Sequence, residues 1–553
     1  MAKLLLEGMN IQKRYGERTV LEVERLAIYE GDRIGLIGEN GAGKSTLLAI
    51  LCGAMRPDAG EVRRRCPVAL IRQGGDTESA LDRRLEAEFH APESREGLSG
   101  GEQTRRRIAG ALSQAAPLLL ADEPTTDLDA PGVERLRARL SAYDGAILLV
   151  SHDRSLLNAL CNRIWHLEDG AITEFPGNYD DYREELRRRR EFMQFEYDQY
   201  RAEASRLKAA ARKQAEWASS VRKAPKRMGN SEARLHTREY TDAVLGRSHA
   251  KKKLEGRIER LEVKQRPRDL PDIRMALGAE RPIASKTALE IRGKRLSAQG
   301  RALLADFRLT LPTGSRTALM GGNGCGKTTL LRAIMGGLPE GIEWRGDVRF
   351  NPAARVGWFD QDHGRTLDPR ATALENAMAE SALPESVART VLARLNLPGD
   401  QVFKPTSALS GGERAKVALA RLMLGDYNML VLDEPTNHLD VFTLQALEAL
   451  LSGYGGTLLF VSHDRAFVDA VATRIIRFEG LRLIAFEGTL SQYEAEQNRD
   501  RGAEDRKLQI STLEMRMAAL AARMAAPRKG DRPDELNAEY QQIAADLQRL
   551  KRT

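Results

Sequence analysis

The sequence predicts an α/β fold built twice: two domains of one kind, joined by a helical hairpin and followed by a C-terminal helical extension. Three observations predict it. One set of short motifs occurs in the same order in both halves of the 553 residues. Apolar runs of strand length lead into those motifs. A long charged segment, 181–266, separates the two copies and reads as two helices around a break.

The repeat comes first. GENGAGKST at 38–46 returns as GGNGCGKTT at 321–329, an offset of 283 residues. LSGGEQTR at 98–105 returns as LSGGERAK at 409–416, LLLADEPTTDLD at 118–129 as LVLDEPTNHLD at 430–440, and LLVSHDR as LFVSHDR, all offset by 311. The first copy is therefore shorter between its first two motifs, mostly between Gln73 and Leu98 against Gln361 and Leu409.

Each motif has a chemical reason. In GxxxxGK[ST], glycines let backbone N–H groups wrap phosphate oxygens, and the following helix N-terminus adds favourable partial charge. Gly38, Asn40, Gly41, Gly43 and Thr46 form one such cradle, and Gly321, Asn323, Gly324, Gly326 and Thr329 the other. Lys44 and Lys327 are placed to reach the terminal phosphates, and Ser45 and Thr328 to hold magnesium. The strands RIGLIG and RTALMG that precede the cradles are the context such a motif requires. LLLADEP and LVLDEP end in paired carboxylates at a strand's C-terminal edge, where α/β proteins place ligands. Asp122 and Asp433 are expected to support magnesium directly or through water, and Glu123 and Glu434 to polarise the attacking water. His152 and His463 follow further apolar strands and can contact a γ-phosphate. In LSGGE, Ser99 with Gly101 and Ser410 with Gly412 suit a helix N-terminus that receives a γ-phosphate bound to the other domain.

Taken together, Walker A, the glutamine loop (Gln73, Gln361), the LSGGE signature, Walker B with DEPT and the switch histidine resemble ATP-binding cassette domains. Two cassettes in one chain, without a membrane segment and with a charged helical linker, resemble the ABC-F proteins, translation and antibiotic-resistance factors that act on the ribosome. The resemblance implies an ATPase using ATP and Mg2+, with Gln73 and Gln361 among the metal contacts. It implies two P-loop ABC-type domains, 1–180 and 286–491, an α-helical hairpin linker at 181–285 and a coiled-coil extension at 492–553. It also implies head-to-tail pairing within a monomer. Lys44, Gln73, Asp122, Glu123 and His152 then share a site with Ser410 and Gly412. Lys327, Gln361, Asp433, Glu434 and His463 share the other with Ser99 and Gly101. Closure would require both nucleotides, and hydrolysis would release it.

The two copies depart from each other. Tyr15 is placed to stack on adenine, whereas the equivalent position in the second copy is Ala298. The first copy has DEPTTDLD where the family commonly has the DEPTNHLD of the second. The short interval 73–98 leaves no room for the arm that some housekeeping members insert, and both features lean toward the resistance-type branch.

The linker holds the charge. The whole chain carries 86 basic and 78 acidic residues, a net of +8, while 181–266 alone has 24 against 14. A solvated spacer explains EELRRRREF near the base through pairs at helical spacing. It does not explain 15 basic against 5 acidic residues over 199–253, which suits a polyanion bound by counterion release. At the tip, broken by Pro225 and Gly229, Arg222, Lys223, Lys226, Arg227, Arg234 and Arg238 are candidates for phosphate contact. Met228, Leu235 and His236 are candidates for stacking on unpaired bases. In the family the linker enters the exit (E) site of the 70S ribosome, beside the P-site tRNA, and its tip points to the 23S rRNA of the peptidyl-transferase centre. The resemblance thus implies target protection, with a housekeeping factor for stalled ribosomes or a DNA-associated ATPase as alternatives. A transporter's energising subunit would need a separate membrane partner.

At the C-terminus, Ile510, Leu513, Met517, Leu520 and Met524 follow the three-and-four spacing of a helix seam, and a Pro/Gly turn precedes a second helix. No apolar run approaches the roughly 18 residues of a spanning helix, and the N-terminus lacks a signal peptide's apolar core, so a soluble, cytoplasmic protein is expected. Cys52, Cys66, Cys161 and Cys325 are isolated and read as structural thiols.

Overall fold

A computed structural model describes residues 2–74, 82–92, 98–220, 245, 248–250, 252–253, 256–257, 283–360, 367–381, 383–397, 399–437, 439–525 and 533–552. The tip residues Arg222, Lys223, Lys226, Arg227, Met228, Arg234, Leu235, His236 and Arg238, and also Gln361, lie outside the described residues.

Among the described residues the first domain has nine strands: β1 (Leu4–Tyr15), β2 (Arg18–Tyr29), β3 (Arg33–Gly38), β4 (Ala59–Arg64), β5 (Val68–Ile71), β6 (Leu118–Asp122), β7 (Ala146–Val150), β8 (Arg163–Glu168) and β9 (Ala171–Pro176). β2-β1-β4 form a small antiparallel sheet. The main sheet runs β5-β6-β7-β3-β8-β9, parallel except for the terminal β8–β9 pair. The second domain repeats the plan with β10 (Thr287–Ala298), β11 (Arg301–Pro312), β12 (Arg316–Met320), β13 (Ile342–Phe350), β14 (Val356–Phe359), β15 (Met429–Asp433), β16 (Thr457–Val461), β17 (Arg474–Glu479) and β18 (Arg482–Glu487). Its sheets are ordered β11-β10-β13 and β14-β15-β16-β12-β17-β18.

The central strands are apolar throughout because both faces of each main sheet are covered, which leaves no solvated face for alternation to mark. All five residues of β6, β7, β15 and β16 are buried. The expected strands RIGLIG, LLLAD and LVLD are β3, β6 and most of β15, and RTALM is β12.

Helices start where the motifs require. Lys44–Cys52 and Lys327–Met335 begin directly after glycines in left-handed backbone, Gly43 (φ 105°) and Gly326 (φ 104°). The signature helices Gly100–Leu112 and Gly411–Leu424 are capped by Ser99 and Ser410, each in a capping box with Glu102 or Glu413.

A 42-residue helix, Tyr179–Ser220, leaves the first domain. Beyond its buried first turn it carries pairs at helical spacing, Glu184 with Arg188, Glu185 with Arg189 and Glu216 with Arg212. At the C-terminus, helices Leu490–Ala525 and Pro533–Arg552 pack through Leu520, Leu536 and Ile543, with Leu513, Met517 and Tyr540 against them. Met524, expected in this seam, is 38% exposed. The antiparallel register that sets Arg516 beside Glu539 passes the start of the second helix, Pro533, before it reaches Met524. Among the described residues no helix is long and apolar enough to cross a membrane.

Candidate functional site

The strand order decides where the chemistry gathers. β3, β6 and β7 are neighbours that run parallel, so the loops leaving their C-terminal ends meet along one edge. β3 delivers the P-loop, β6 the carboxylates Asp122 and Glu123, and β7 the histidine His152. β12, β15 and β16 do the same for the P-loop at 321–329, Asp433, Glu434 and His463.

In the P-loops, a Cβ on Gly43 would lie 2.7 Å from Val20 Cγ1, and one on Gly326 would lie 2.9 Å from Leu303 Cδ1. Left-handed backbone and lack of space together require glycine at both. Lys44 Nζ donates to Gly38 O at 2.8 Å and Glu39 O at 3.0 Å, and Lys327 Nζ to Gly321 O at 2.9 Å and Gly322 O at 3.1 Å. Each ammonium is thus curled over the loop that would cradle a phosphate. Burial lowers the Lys44 pKa, against the opposing pull of Glu123, Asp440 and Asp122.

Behind each lysine a hydroxyl meets an aspartate. The Ser45 side chain hydrogen-bonds Asp122, and Thr328 Oγ1 donates to Asp433 Oδ1 at 3.2 Å. Burial raises both carboxyls, that of Asp433 to about 6. Asp433 Oδ2 is buried without a hydrogen-bond partner among the described residues. A hard divalent cation takes oxygen ligands of this kind, so the orphaned oxygen and the adjacent hydroxyl fit Mg2+.

The glutamates are the most constrained groups. Glu123 and Glu434 both have φ 48°, a left-handed backbone that costs a non-glycine residue about 1–3 kcal/mol. Their amides donate to Val150 O at 2.9 Å and Val461 O at 3.0 Å, which pins each to the next strand. His152 N donates to Glu123 Oε2 at 3.3 Å, and His463 N to Glu434 Oε2 at 3.3 Å. The imidazole Nε2 atoms approach the other carboxylate oxygens at 3.2 and 3.3 Å without hydrogen-bond geometry, so both Oε1 atoms remain buried and unpartnered among the described residues. Burial, partly offset by the nearby P-loop lysines, pushes both glutamates up to about 7. Burial pushes His152 down to about 3 and His463 to about 4, so both imidazoles are neutral at physiological pH. A carboxylate near its pKa with a free oxygen, beside a neutral imidazole, can accept a proton from water.

The two domains contribute to one continuous cleft of about 1700 Å3. Its wall includes Tyr15, Asn40, Gly41, Gly43, Lys44, Ser45, Thr46, Gln73, Asp122, Glu123 and His152, with Asn323, Gly324, Gly326, Lys327, Thr328, Thr329, Glu434 and His463. Ser99, Gly101, Ser410 and Gly412 line it as well. Gly38, Gly321 and Asp433 lie outside this lining; Gly38 ends β3, Asp433 ends β15, and Gly321 follows β12. Across the domain boundary, Asn323 Nδ2 donates to Asp127 O at 2.9 Å, and a Cβ on Gly101 would come 3.3 Å from Asn323 Nδ2. The Asn40 amide lies 3.5 Å from Asp440 Oδ2. Each P-loop therefore faces the loop that follows the other domain's DEP. Tyr15, 51% exposed at the end of β1, and Ala298 at the end of β10 both line the cleft.

The sequence reading passed over Asp440 and Lys416. They form a buried pair at 3.0 Å, with Asp440 also accepting from Thr443 N and Oγ1. Both stand inside motifs that recur, which is the signal that could have found them.

A family model described as ABC transporter matches residues 21–87 and 304–437, and another of the same description matches 165–239. The chain is 33% identical over 468 residues to the ribosome protection protein VmlR of Bacillus subtilis, covering 83% of this chain and 84% of that one. It is 33% identical over 495 residues to the erythromycin resistance ATP-binding protein MsrA of Staphylococcus epidermidis, covering 86% and 97%. It is 29% identical over 567 residues to the energy-dependent translational throttle protein EttA of Mycobacterium tuberculosis, covering 89% and 96%.

The raised glutamate pKa values have a consequence for stability. A carboxyl held near 7 in the fold and near 4.5 in the unfolded chain favours the protonated folded state. Stability is then full below pH 4.5 and falls as pH rises through about 7. Glu123→Gln or Glu434→Gln removes that loss. Each should stabilise the nucleotide-free protein at pH 8 by up to about 3 kcal/mol and change it little at pH 4.5, as read from denaturant midpoints. Equal shifts at the two pH values would show that proton linkage is not the cause.

Proposed function

This chain belongs to the ABC-F family of twin-cassette ATPases, and on that premise we propose that it binds the bacterial 70S ribosome and confers antibiotic resistance by target protection. In this reading it is a cytoplasmic monomer whose linker, 181–285, enters the exit site toward the peptidyl-transferase centre and contacts 23S rRNA and the P-site tRNA. The observation that carries the proposal is the charge distribution. The excess of 24 basic over 14 acidic residues in 181–266 exceeds the +8 of the whole chain, so the chain's polyanion-binding capacity is concentrated where two ATP-binding domains hold it. The likeness to proteins named for ribosome protection and erythromycin resistance supports the same reading.

ATP supplies the γ-phosphoryl group, and Mg2+ would offset charge on it. Ser45, Gln73 and Asp122 would hold the metal in one site, and Thr328, Gln361 and Asp433 in the other. Lys44 and Lys327 uncurl from their loop carbonyls to bind the terminal phosphates. Glu123 and Glu434 orient a water and take its proton at the unpartnered Oε1, while His152 and His463 stay neutral beside them. Ser99 and Gly101, or Ser410 and Gly412, add donors from across the boundary, so hydrolysis in either site requires the closed pair. Tyr15 stacks on the adenine of the first site.

A housekeeping role on stalled ribosomes is favoured instead by the match to the translational throttle protein, which spans as much of this chain as the resistance relatives do.

The chain carrying both Glu123→Gln and Glu434→Gln should co-sediment with ribosomes in ATP but not in ADP, because loss of hydrolysis traps the closed pair. Failure to co-sediment in ATP would remove the ribosome reading. Expression in a drug-sensitive host should raise inhibitory concentrations for at least one of the lincosamides, pleuromutilins and streptogramins. Exchange of residues 222–237 should alter that spectrum and leave ATP turnover unchanged. Unchanged inhibitory concentrations across the panel would favour the housekeeping role.

A further inference from the structure

The root of the long helix is gripped by the second domain as well as by the first. Tyr179 and Tyr182, in its first turn, are each 1% exposed. The Tyr182 ring meets Phe175 edge-on at 5.0 Å between centroids and His166 at 5.7 Å. Onto this cluster comes helix Val441–Ser452 of the second domain. Val441 is buried within the first domain's core, with Phe442 packed against it. The Phe442 ring lies 5.7 Å from His166. Gln445 donates to the Tyr179 hydroxyl, and Glu448 pairs with Arg154 at 2.7 Å. Val441, Gln445 and Glu448 are spaced to share one helix face.

The same helix starts at the ATP cleft. Its N-cap is Asp440, whose carboxylate faces the Asn40 amide in the first P-loop and is held from behind by Lys416. One rigid element of 12 residues thus touches the Lys44 site at its N-terminus and the helix root along its side.

The repeat provides an internal control. At the offset of 311 residues, helix Ala130–Ser141 carries Ala130, Pro131, Glu134 and Arg137 at the positions of Val441, Phe442, Gln445 and Glu448. Pro131, Glu134 and Arg137 are exposed where their counterparts are half-buried, and Arg137 pairs with its own neighbour Glu134. On the receiving side, Leu490 and Arg477 stand where the first domain has Tyr179 and His166. Arg477 is turned to the Tyr493 hydroxyl at 3.0 Å, and Arg465, the counterpart of Arg154, pairs with Glu494. The Tyr182–Phe175 pair does recur, as Tyr493 and Phe486 with rings 5.4 Å apart, but the occupant of the seat, Phe442 with Gln445, and the His166 and Tyr179 that meet it are present on one side only.

We propose that this seat, formed by Tyr179, Tyr182 and His166 and filled by Phe442 and Gln445, couples the orientation of the long helix to the Lys44 ATP site and not to the Lys327 site. Closing the Lys44 site brings Asp440 to the Asn40 amide and sets Phe442 on the root. Opening it withdraws Phe442, and the root is then held by the first domain alone. Glu448 and Arg154 guide the approach, since both regain water when the domains part. The proposal rests on the reading that the domains close on ATP.

Hydrogen exchange of the full chain tests it, in the background carrying Glu123→Gln and Glu434→Gln. ATP should slow exchange together in peptides over 441–452, over the root at 179–190, and over the signature helices at 99–112 and 410–424. Adding Phe442→Ala should return the root to its ATP-free rate, roughly tenfold faster, while the signature helices stay protected. Glu448→Gln, which removes no core volume, should act in the same direction more weakly. A root that stays protected with Phe442→Ala overturns the coupling while leaving ATP-driven closure intact. Signature helices that do not respond to ATP in the parent overturn the closure reading itself, and the coupling with it.

Discussion

Two glutamates are held out of water, in left-handed backbone, each with one oxygen lacking a hydrogen bond among the described residues. No local preference favours this arrangement. Burial disfavours the charge, φ 48° is strained for a residue with a Cβ, and an unpartnered carboxylate oxygen has lost its hydration. Only surroundings stiff enough to leave no alternative can hold it. The strands on which the glutamates depend are buried along their whole length, and the amide of each glutamate is tied to the strand beside it. Strain of this kind makes chemical sense if a water and a charged phosphate complete the site, because the same free oxygen then becomes the acceptor the reaction needs.

The two copies agree where that chemistry sets the terms and differ where it does not. The glutamate–histidine approach is 3.2 Å in one half and 3.3 Å in the other, and the glycines before the two P-loop helices differ by one degree in φ. Away from the phosphates the halves diverge. Tyr15 answers to Ala298, and the buried Lys416–Asp440 pair has Arg105 and Asp129 in its place, although both aspartates cap their own helices, through Thr443 and Gly132. Phosphate recognition needs backbone donors at fixed positions, so both halves meet the same geometric demand. The surfaces that meet the long helices leaving the two domains, Tyr179–Ser220 and Leu490–Ala525, are under no such common demand, since no phosphate fixes their geometry.

This division also explains what was legible in the sequence. P-loops, paired carboxylates and capping boxes are local, because a few consecutive residues fix both the backbone and the chemistry, and the parallel strands that carry them are short apolar runs. The fold class follows from that, and the convergence of Lys44, Asp122, Glu123 and His152 from the family resemblance that these motifs carry. Contacts between domains left no such trace. Nothing in the sequence around Val441 and Phe442 tells whether the core they enter is their own or their neighbour's. The left-handed backbone of Glu123 was equally hidden, because it is imposed by Val150 on another strand. Met524 was assigned to the C-terminal seam by spacing alone, and spacing does not reveal where the opposing helix begins.

Leverage gives the root of the long helix its importance. At 1.5 Å per residue its 42 residues span about 63 Å, so a tilt of about 5° at the root moves the far end by roughly 5 Å. The exposed ion pairs along the shaft stiffen it by only tenths of a kcal/mol each and cannot fix its direction. Direction is set where side chains are fully buried, at Tyr179 and Tyr182. A contact worth little to overall stability can therefore decide where the far end points, provided it acts at that turn. The second domain places Phe442 and Gln445 there, and it does so from the helix that begins at Asp440, one hydrogen-bond length from the first P-loop. The twelve residues of that helix thus add a mechanical path from the Lys44 site to the root, beside the one inside the first domain, where β3 pairs with β8 through Ile37 and His166, and His166 meets Tyr182.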